Sequence, residues 1–245
     1  MRLDQILVEK GFFGTRSRAR DAIVRGTVKV DGIVATRPGA TIGESAAILV
    51  DDPAGAYVSR AALKLIAGLD HFAISVEGRT ALDIGASTGG FTQVMLERGA
   101  AHVVAVDVGH GQMHDRLRRD PRVSNLEALN ARELTRDHLG GYKIDLVVSD
   151  VSFISLKLAL PPALNLAEPG AHCVLLVKPQ FEAGRQAIGK GGLLRNPEDG
   201  ERLADDLRNW LDQMPHWQAL GLCPSPIEGG DGNREFLLGG LKRKG

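Results

Sequence analysis

Four polar residues of this 245-residue chain stand where apolar runs give out, and their types suit chemistry on a bound ligand. The run Thr80-Ala-Leu-Asp83-Ile84 opens into Gly85-Ala-Ser-Thr-Gly-Gly90. Ala101-His-Val-Val-Ala-Val106 stops at Asp107, Ile144-Asp-Leu-Val-Val-Ser149 at Asp150, and His172-Cys-Val-Leu-Leu-Val177 at Lys178. Short apolar runs separated by helical spacing, as from Phe91 to the glycine stop at Gly99, predict strands of a parallel sheet with helices on both faces. In such a sheet ligands sit outside the carboxyl ends of the strands, so Asp83, Asp107, Asp150 and Lys178 are expected to converge. Taken singly, each has a plainer reading: an aspartate can cap the following turn, and a lysine can reach solvent.

The glycine turn is read as a nucleotide-cofactor loop. Gly85, Gly89 and Gly90 allow a sharp turn and a close backbone approach, and Asp107, 24 residues beyond Asp83, stands where a carboxylate accepts hydrogen bonds from ribose hydroxyls. The pattern D-x-G-x-x-x-G-G is similar to the first motif of S-adenosylmethionine methyltransferases, whereas a nicotinamide or flavin site usually reads G-x-G-x-x-G. On the loop alone, a dinucleotide site and a purely structural strand-to-helix turn stay open.

The residues after Asp150 narrow the reaction. Methyltransferases that act on exocyclic amines commonly carry [D/N]-P-P-[Y/F] there, and this chain has Ser149-Asp-Val-Ser-Phe153. Methylation at pyrimidine C5 needs a cysteine nucleophile; Cys173 lies inside an apolar run and Cys223 precedes Pro224, placements that suit packing. A hydroxyl acceptor remains. Ribose hydroxyls are poor nucleophiles near neutral pH, and a base contributes about 10²–10⁴-fold. Lys178 is the candidate base, since burial or a second cation can make a lysine available for that role. The second cation would be Lys64, although it lies about 100° round its helix from Leu65, off the apolar stripe, where a solvated lysine is the plainer reading. Glu235 alternates with apolar neighbours and reads by itself as an exposed strand residue.

Those groups need a frame, and the rest of the chain supplies two modules. Thirty basic and thirty acidic residues balance overall, yet residues 1 to 40 hold eight Lys or Arg against four acids, which points to a polyanionic partner at that end. Leu3, Ile6 and Leu7 mark one short helix stopped at Gly11. Ala19, Ala22 and Ile23 mark a second, capped by Thr15 or Ser17 and stopped at Gly26, and valines then alternate up to an Asp31-Gly32 hairpin turn. Arg16 and Arg20, and Arg18 and Arg25, cover more than one side of the second helix. Asp51-Asp-Pro-Ala-Gly-Ala56 reads as a linker, and a helix is expected to begin near Tyr57. Two cysteines without metal-type spacing argue against a zinc site or disulfide framework. There is no apolar signal core at the start and no run of membrane-spanning length, so a cytoplasmic protein is expected.

Two resemblances follow. Arg2-Leu-Asp-Gln-Ile-Leu-Val, Ser17-Arg-Ala-Arg-Asp-Ala-Ile and Gly26-Thr-Val-Lys-Val-Asp-Gly32 are similar to the small αL-type, S-four-like RNA-binding module of a ribosomal protein, pseudouridine synthases and tyrosyl-tRNA synthetases. The resemblance implies RNA contacts from Arg2, Arg16, Arg18, Arg20, Arg25 and Lys29. Tyr57-Val-Ser-Arg-x-x-Leu-Lys-Leu, Asp83-Ile-Gly-Ala-Ser-Thr-Gly-Gly-Phe-Thr, Ser149-Asp-Val-Ser-Phe-Ile-Ser-Leu, Val177-Lys-Pro-Gln-Phe-Glu and Gly232-Asn-Arg-Glu-Phe resemble, in order, the segments of the TlyA family, often labelled hemolysins. One departure is Ala61-Ala62, where that family commonly has glycine.

The TlyA resemblance implies an α/β, Rossmann-like S-adenosylmethionine-dependent methyltransferase domain (57–245, FtsJ-like, a mostly parallel seven-stranded sheet) after a small α+β RNA-binding domain (1–55, with the linker at about 51–56). It implies transfer of a methyl group to a ribose 2′-hydroxyl of ribosomal RNA, with cytidine the expected nucleoside and ribosomal RNA or ribosomal subunits the partner. No metal is expected. The implied catalytic tetrad is Lys64, Asp150, Lys178 and Glu235, with Lys178 assisting deprotonation, Lys64 and Glu235 orienting the hydroxyl, and Asp150 holding the base. The implied cofactor contacts are Asp83, Gly85, Ser87, Gly89, Gly90, Phe91, Asp107 and Asp150. Two rivals stand beside this reading: a membrane-active hemolysin, which requires an amphipathic or spanning segment, and a non-catalytic RNA-binding ribosome-assembly factor.

Overall fold

The computed structural model describes residues 1–244; Gly245, the last residue of the expected second domain, lies outside the described residues. The chain divides into two compact units, Met1–Ala56 and Tyr57–Gly245. The first unit comprises α1 (Leu3–Glu9), α2 (Arg16–Val24), β1 (Val28–Val30), β2 (Ile33–Val34) and β3 (Ile48–Val50). Thr15 caps α2 by accepting the Arg18 N–H, and the three strands form an antiparallel sheet in the order β2-β1-β3. Leu3, Leu7, Phe13, Ala19, Ala22, Ile23 and Val28 make its small core.

The second unit begins with α3 (Ala62–His71) and β4 (Thr80–Ile84), then α4 (Gly90–Glu97), β5 (His102–Val106), α5 (Asp115–Arg118), β6 (Val123–Leu126) and β7 (Ile144–Ser149). It continues through α6 (Leu156–Ala159), α7 (Pro161–Leu166), β8 (Ala167–Val177), α8 (Pro179–Glu182), α9 (Asp199–Gln213), β9 (Trp217–Pro224) and β10 (Phe236–Lys242). The strand order is β6-β5-β4-β7-β8-β10-β9. Strands β4 to β8 pair in parallel, and only β10 runs antiparallel to its neighbours β8 and β9. The fold is α/β with a mostly parallel seven-stranded sheet.

Strand parity divides the core between two faces. Leu82, Ile84, Val147, Leu175 and Val177 pack on one side, and Ala81, Leu146, Val148, Val174 and Leu176 on the other. From β4 the chain builds outward through β5 and β6 and then crosses back to set β7 and β8 on the other side of β4, so the crevice between β4 and β7 is the switch point of the sheet.

Two boundaries differ from the sequence expectation. The first helix of this unit begins at Ala62 and not near Tyr57, because Val58 N–H is taken by Gln93 Oε1 (2.9 Å) and Ser59 Oγ accepts the Ala61 N–H (3.2 Å). Strand β8 begins at Ala167, well before His172. Among the described residues no helix is long and apolar enough to cross a membrane, and no group of three or more His, Cys, Asp or Glu is placed to hold a metal ion.

Candidate active site

The register Ile84↔Ser149 sets Gly85 beside Asp150, and Asp150 N–H donates to the Ile84 carbonyl at 3.0 Å. Gly85 has φ +84°, and a Cβ there would stand 2.8 Å from the Asp150 carbonyl oxygen. Only glycine supports both the left-handed turn and this approach. Gly89, also left-handed at φ +95°, then starts α4, with Gly90 and Phe91 in its buried first turn.

Three hollows open around this junction. The first, about 450 Å³, is bounded by Gly85, Ser87, Asp107, Leu129, Asp150 and Ile154. The second, about 150 Å³, has Ser59, Thr88, Gly90, Phe91, Asp150 and Lys178 in its wall. The third, about 830 Å³, has Phe153, Lys178, Phe181, Arg185, Asp231 and Glu235. Asp150 is shared by the first two and Lys178 by the last two, while Ser152 borders all three. The ends of β4, β7 and β8 therefore border adjoining hollows that share wall residues, the third of them an open trough.

Lys178 Nζ lies 2.6 Å from Asp150 Oδ1 and donates to Ser152 Oγ at 2.7 Å. Lys64 Nζ donates to Glu235 Oε2, a pair joining α3 to the residue just before β10. Both partners are almost wholly shielded, so Lys64 and Glu235 are not the solvated residues that helical phase and strand alternation suggest. Burial pushes the Glu235 carboxyl upward; Lys64 and Lys178 pull it back and Asp150 pushes it further, so all four groups act in one field. Two positive and two negative groups cancel, which offsets part of the desolvation cost of a buried cluster.

On the cofactor side Asp107 accepts the Ser87 N–H at 2.8 Å and the Gly109 N–H at 2.7 Å. Asp83 is placed elsewhere. It shares strand parity with Ala81 and points into the core face of α4, where Thr92 Oγ1 donates to its Oδ2 at 2.7 Å and its Oδ1 has no partner among the described residues. It borders none of the three hollows, so it supports the loop from beneath. Burial above all pushes its pKa up to about 7; the Thr92 hydrogen bond opposes this, and the charges of Asp150 and Asp107 reinforce it.

The arginines of the first unit separate into two groups. Arg2 and Arg16 close over the fully buried Asp4 at 3.0 and 2.9 Å. Arg25, mostly buried, bridges Asp21 and Asp52 at 2.8 Å each, so it fastens the start of the expected linker and does not present itself to RNA. Arg20 and Lys29 are exposed, and Arg16, Ser17 and Arg20 line a surface hollow of about 380 Å³. Arg18 reaches the Ala54 carbonyl at 3.5 Å.

Several site residues received no role from the residue pattern, even where their segments were singled out. Ser152 lies in a segment singled out for resemblance, but its bond to Lys178 depends on how the loop folds. Phe153 has φ +65° and is 90% exposed, with its ring 5.0 Å from that of Phe181. Glu182 accepts from Ser155 Oγ (2.5 Å) and Leu156 N–H (2.8 Å), tying the start of α6, just after the Ser152–Ile154 loop, to α8. Glu127 accepts the Gly111 (2.5 Å) and Gln112 (3.2 Å) N–H groups, which hold its carboxyl down to about 2 and seat Gln112 in the first hollow. Paired acids and glycines of this kind are recognisable only once their partners are in place.

The FtsJ-like methyltransferase family pattern matches residues 57–242, and the S4 domain pattern matches residues 1–48. The chain is similar to the 16S/23S rRNA (cytidine-2′-O)-methyltransferase TlyA of Mycobacterium tuberculosis, with 45% identity over 97% of this chain and 88% of that protein. It is similar to Hemolysin A of Brachyspira hyodysenteriae, with 38% identity over 97% and 98%. A solved structure from Streptococcus thermophilus, named as a putative hemolysin, superimposes with a TM-score of 0.77 at 39% identity, covering 100% of this chain and 89% of that one. The chain belongs to the TlyA family of FtsJ-like methyltransferases, with an S4 domain at its N-terminal end.

Proposed function

We propose that the second unit transfers the methyl group of S-adenosylmethionine to a ribose 2′-hydroxyl of ribosomal RNA, with cytidine the preferred nucleoside, while the S4 unit holds structured RNA. One observation carries the reading: the Lys178–Asp150 pair stands where the cofactor-sized hollows meet the larger trough. The M. tuberculosis relative is named for cytidine-2′-O methylation, and the motif resemblance carries the family's tetrad onto Lys64, Asp150, Lys178 and Glu235 of this chain.

The residues fit the cofactor. The first hollow pairs an acid, Asp107, with apolar walls from Leu129 and Ile154, suited to a nucleoside, and the second is small and rimmed by Ser59, Thr88 and the glycine turn, suited to an amino-acid end. When bound there, S-adenosylmethionine supplies an electrophilic methyl group. Lys178 Nζ donates to Ser152 Oγ and is held beside the Asp150 carboxylate; acting as a base requires the free amine, whose lone pair serves the acceptor hydroxyl. Lys178 takes the hydroxyl proton at Nζ as the oxygen attacks, Asp150 keeps that nitrogen in place, and the Lys64–Glu235 pair orients the ribose. Exposed Phe153 and half-buried Phe181 both line the same trough and offer rings on which an unstacked base can lie. Such a substrate assigns the protein to the cytoplasm.

The test is transfer of a tritiated methyl group from S-adenosylmethionine to intact ribosomes, separated subunits and free rRNA. Incorporation into rRNA is expected from the wild type. No incorporation into any of the three would sink the reading.

A further inference from the structure

Between α8 and α9 runs Ala183-Gly-Arg-Gln-Ala-Ile-Gly-Lys-Gly-Gly-Leu-Leu-Arg-Asn-Pro197, a segment with three cations and no Asp or Glu. Arg185, Lys190 and Arg195 are all exposed. None of them forms an ion pair among the described residues, whereas Arg118, Arg122 and Arg202 on the same unit each meet a nearby aspartate. Three like charges kept together without counter-charges repel one another, and an anionic partner relieves that repulsion.

The segment has a defined shape. Ile188 and Leu194 form an antiparallel bridge, Arg195 N–H donates to the Ala187 carbonyl at 2.9 Å, and Gly189 N–H donates to the Leu193 carbonyl at 2.7 Å. Asn233 then clamps the turn from below: its Oδ1 accepts the Leu194 N–H at 3.1 Å and its Nδ2 donates to the Gly192 carbonyl at 2.9 Å. Asn233 is itself buried and lies two residues before Glu235, so the turn is held in register with the tetrad. Arg185, Gly191 and Gly192 form part of the wall of the hollow that also contains Lys178 and Glu235. Nothing lies within 4 Å of where a Cβ on Gly191 would be, which leaves the backbone there open to close approach.

We infer that the 183–197 segment binds the phosphodiester backbone of the RNA strand that carries the target ribose, giving the catalytic unit phosphate contacts of its own. A ribose in the trough brings its flanking phosphates with it, and arginine and lysine meet phosphate oxygens through charge-assisted hydrogen bonds. The inference rests on the methyltransferase reading above, and its test separates the two.

The experiment measures methyl transfer to rRNA by the full-length wild type and by Arg185→Ala/Lys190→Ala across a series of salt concentrations. Neither side chain makes a hydrogen bond or ion pair that shapes the loop, so the fold is expected to persist. With about 0.7 of a counterion released per phosphate contact on a single strand, the double variant's log–log salt slope for KM should fall by about 1. Its KM for RNA should rise about tenfold at moderate salt, with kcat and S-adenosylmethionine affinity within about twofold of wild type. Lys190→Glu should raise KM more than Lys190→Ala, and Lys190→Arg should restore it. Unchanged KM and salt slope in both the double variant and Lys190→Glu would overturn the inference; that is also the result expected if the loop serves an acidic protein partner. A wild type that methylates no RNA would refute the underlying function instead.

Discussion

Each unit buries a charge, and the two burials differ in kind. In the S4 unit Asp4 is sealed beneath Arg2 and Arg16, whose own side chains remain half exposed. In the catalytic unit Lys64 and Glu235 are both shielded, and Glu235 borders a trough whose wall also holds Lys178, paired with Asp150. A carboxylate covered by solvated arginines fastens a helix. A shielded pair of opposite charges beside a hollow holds polar groups ready for a ligand at the cost of desolvation, a price ordinary packing does not require. Counting positive residues in the S4 unit therefore overstates its RNA surface, whereas the near-zero net charge of Lys64, Glu235, Lys178 and Asp150 conceals that cluster altogether.

The largest expected effect tests whether the trough pair is chemical and not structural. Lys178→Ala should lower kcat for rRNA methylation by about 10²–10⁴-fold with S-adenosylmethionine affinity retained. Lys178→Arg should also fail, because a guanidinium does not give up its proton to act as a base. Single-turnover rates with saturating cofactor are the readout, and a rate near wild type in Lys178→Ala would remove the lysine from the chemistry.

Next comes the shielded pair. Lys64→Met alone, or Glu235→Leu alone, strands a buried charge and should destabilise the protein by about 3–5 kcal/mol in denaturant unfolding. The double variant Lys64→Met/Glu235→Leu should recover most of that stability and none of the activity. Recovery of activity together with stability would reduce the pair to packing.

A smaller effect divides the arginines. Arg25→Ala loses hydrogen bonds to Asp21 and Asp52 and should cost about 1–3 kcal/mol of stability. Arg20→Ala should leave stability unchanged while weakening RNA binding and its salt dependence by about one phosphate contact. The reverse assignment of these two phenotypes would contradict the division between fastening and RNA-facing arginines.

The mildest effect is a difference of sign with pH. Hydrogen bonding from Arg2 first, then Arg16 and the charges of both, holds the Asp4 carboxyl down to about 2 against a reference of 3.8. The stability it lends is present above 3.8 and lost as pH falls towards 2. Asp83 is pushed the other way, from 3.8 to about 7, so its folded form binds a proton that the unfolded chain has released, and stability falls as pH rises through that interval. Asp83→Asn keeps an acceptor for Thr92 and should flatten the decline between pH 5 and pH 7 in unfolding titrations. An unaltered slope would mean that Asp83 is already ionised in the fold.

What the sequence made legible follows from locality. The glycine turn, the strand-end residues Asp107, Asp150 and Lys178, and the parallel sheet are written in contiguous segments, and period-two and glycine patterns report them directly. The burial of Lys64 is not local: its partner is 171 residues away, and helical phase, which sets the lysine off the apolar stripe, carries no trace of Glu235. Asp83 looks like a strand-end acid, yet two-residue alternation along β4 sends it into the core beside Thr92. Arg25 reads as an RNA contact because nothing nearby in sequence reveals Asp52 as its partner. The Asn233 clamp joins the Gly232–Phe236 segment, marked in the sequence by resemblance alone, to the 183–197 loop, which carries no mark there.

The central claim is that the Lys178–Asp150 pair serves a ribose hydroxyl beside bound S-adenosylmethionine. Its most direct test is mass-spectrometric analysis of nucleosides from rRNA methylated by the wild type and by Lys178→Ala. The account predicts 2′-O-methylcytidine from the wild type and its near-absence from the variant. A methyl group found on a base, or equal 2′-O-methylation by both proteins, would contradict it.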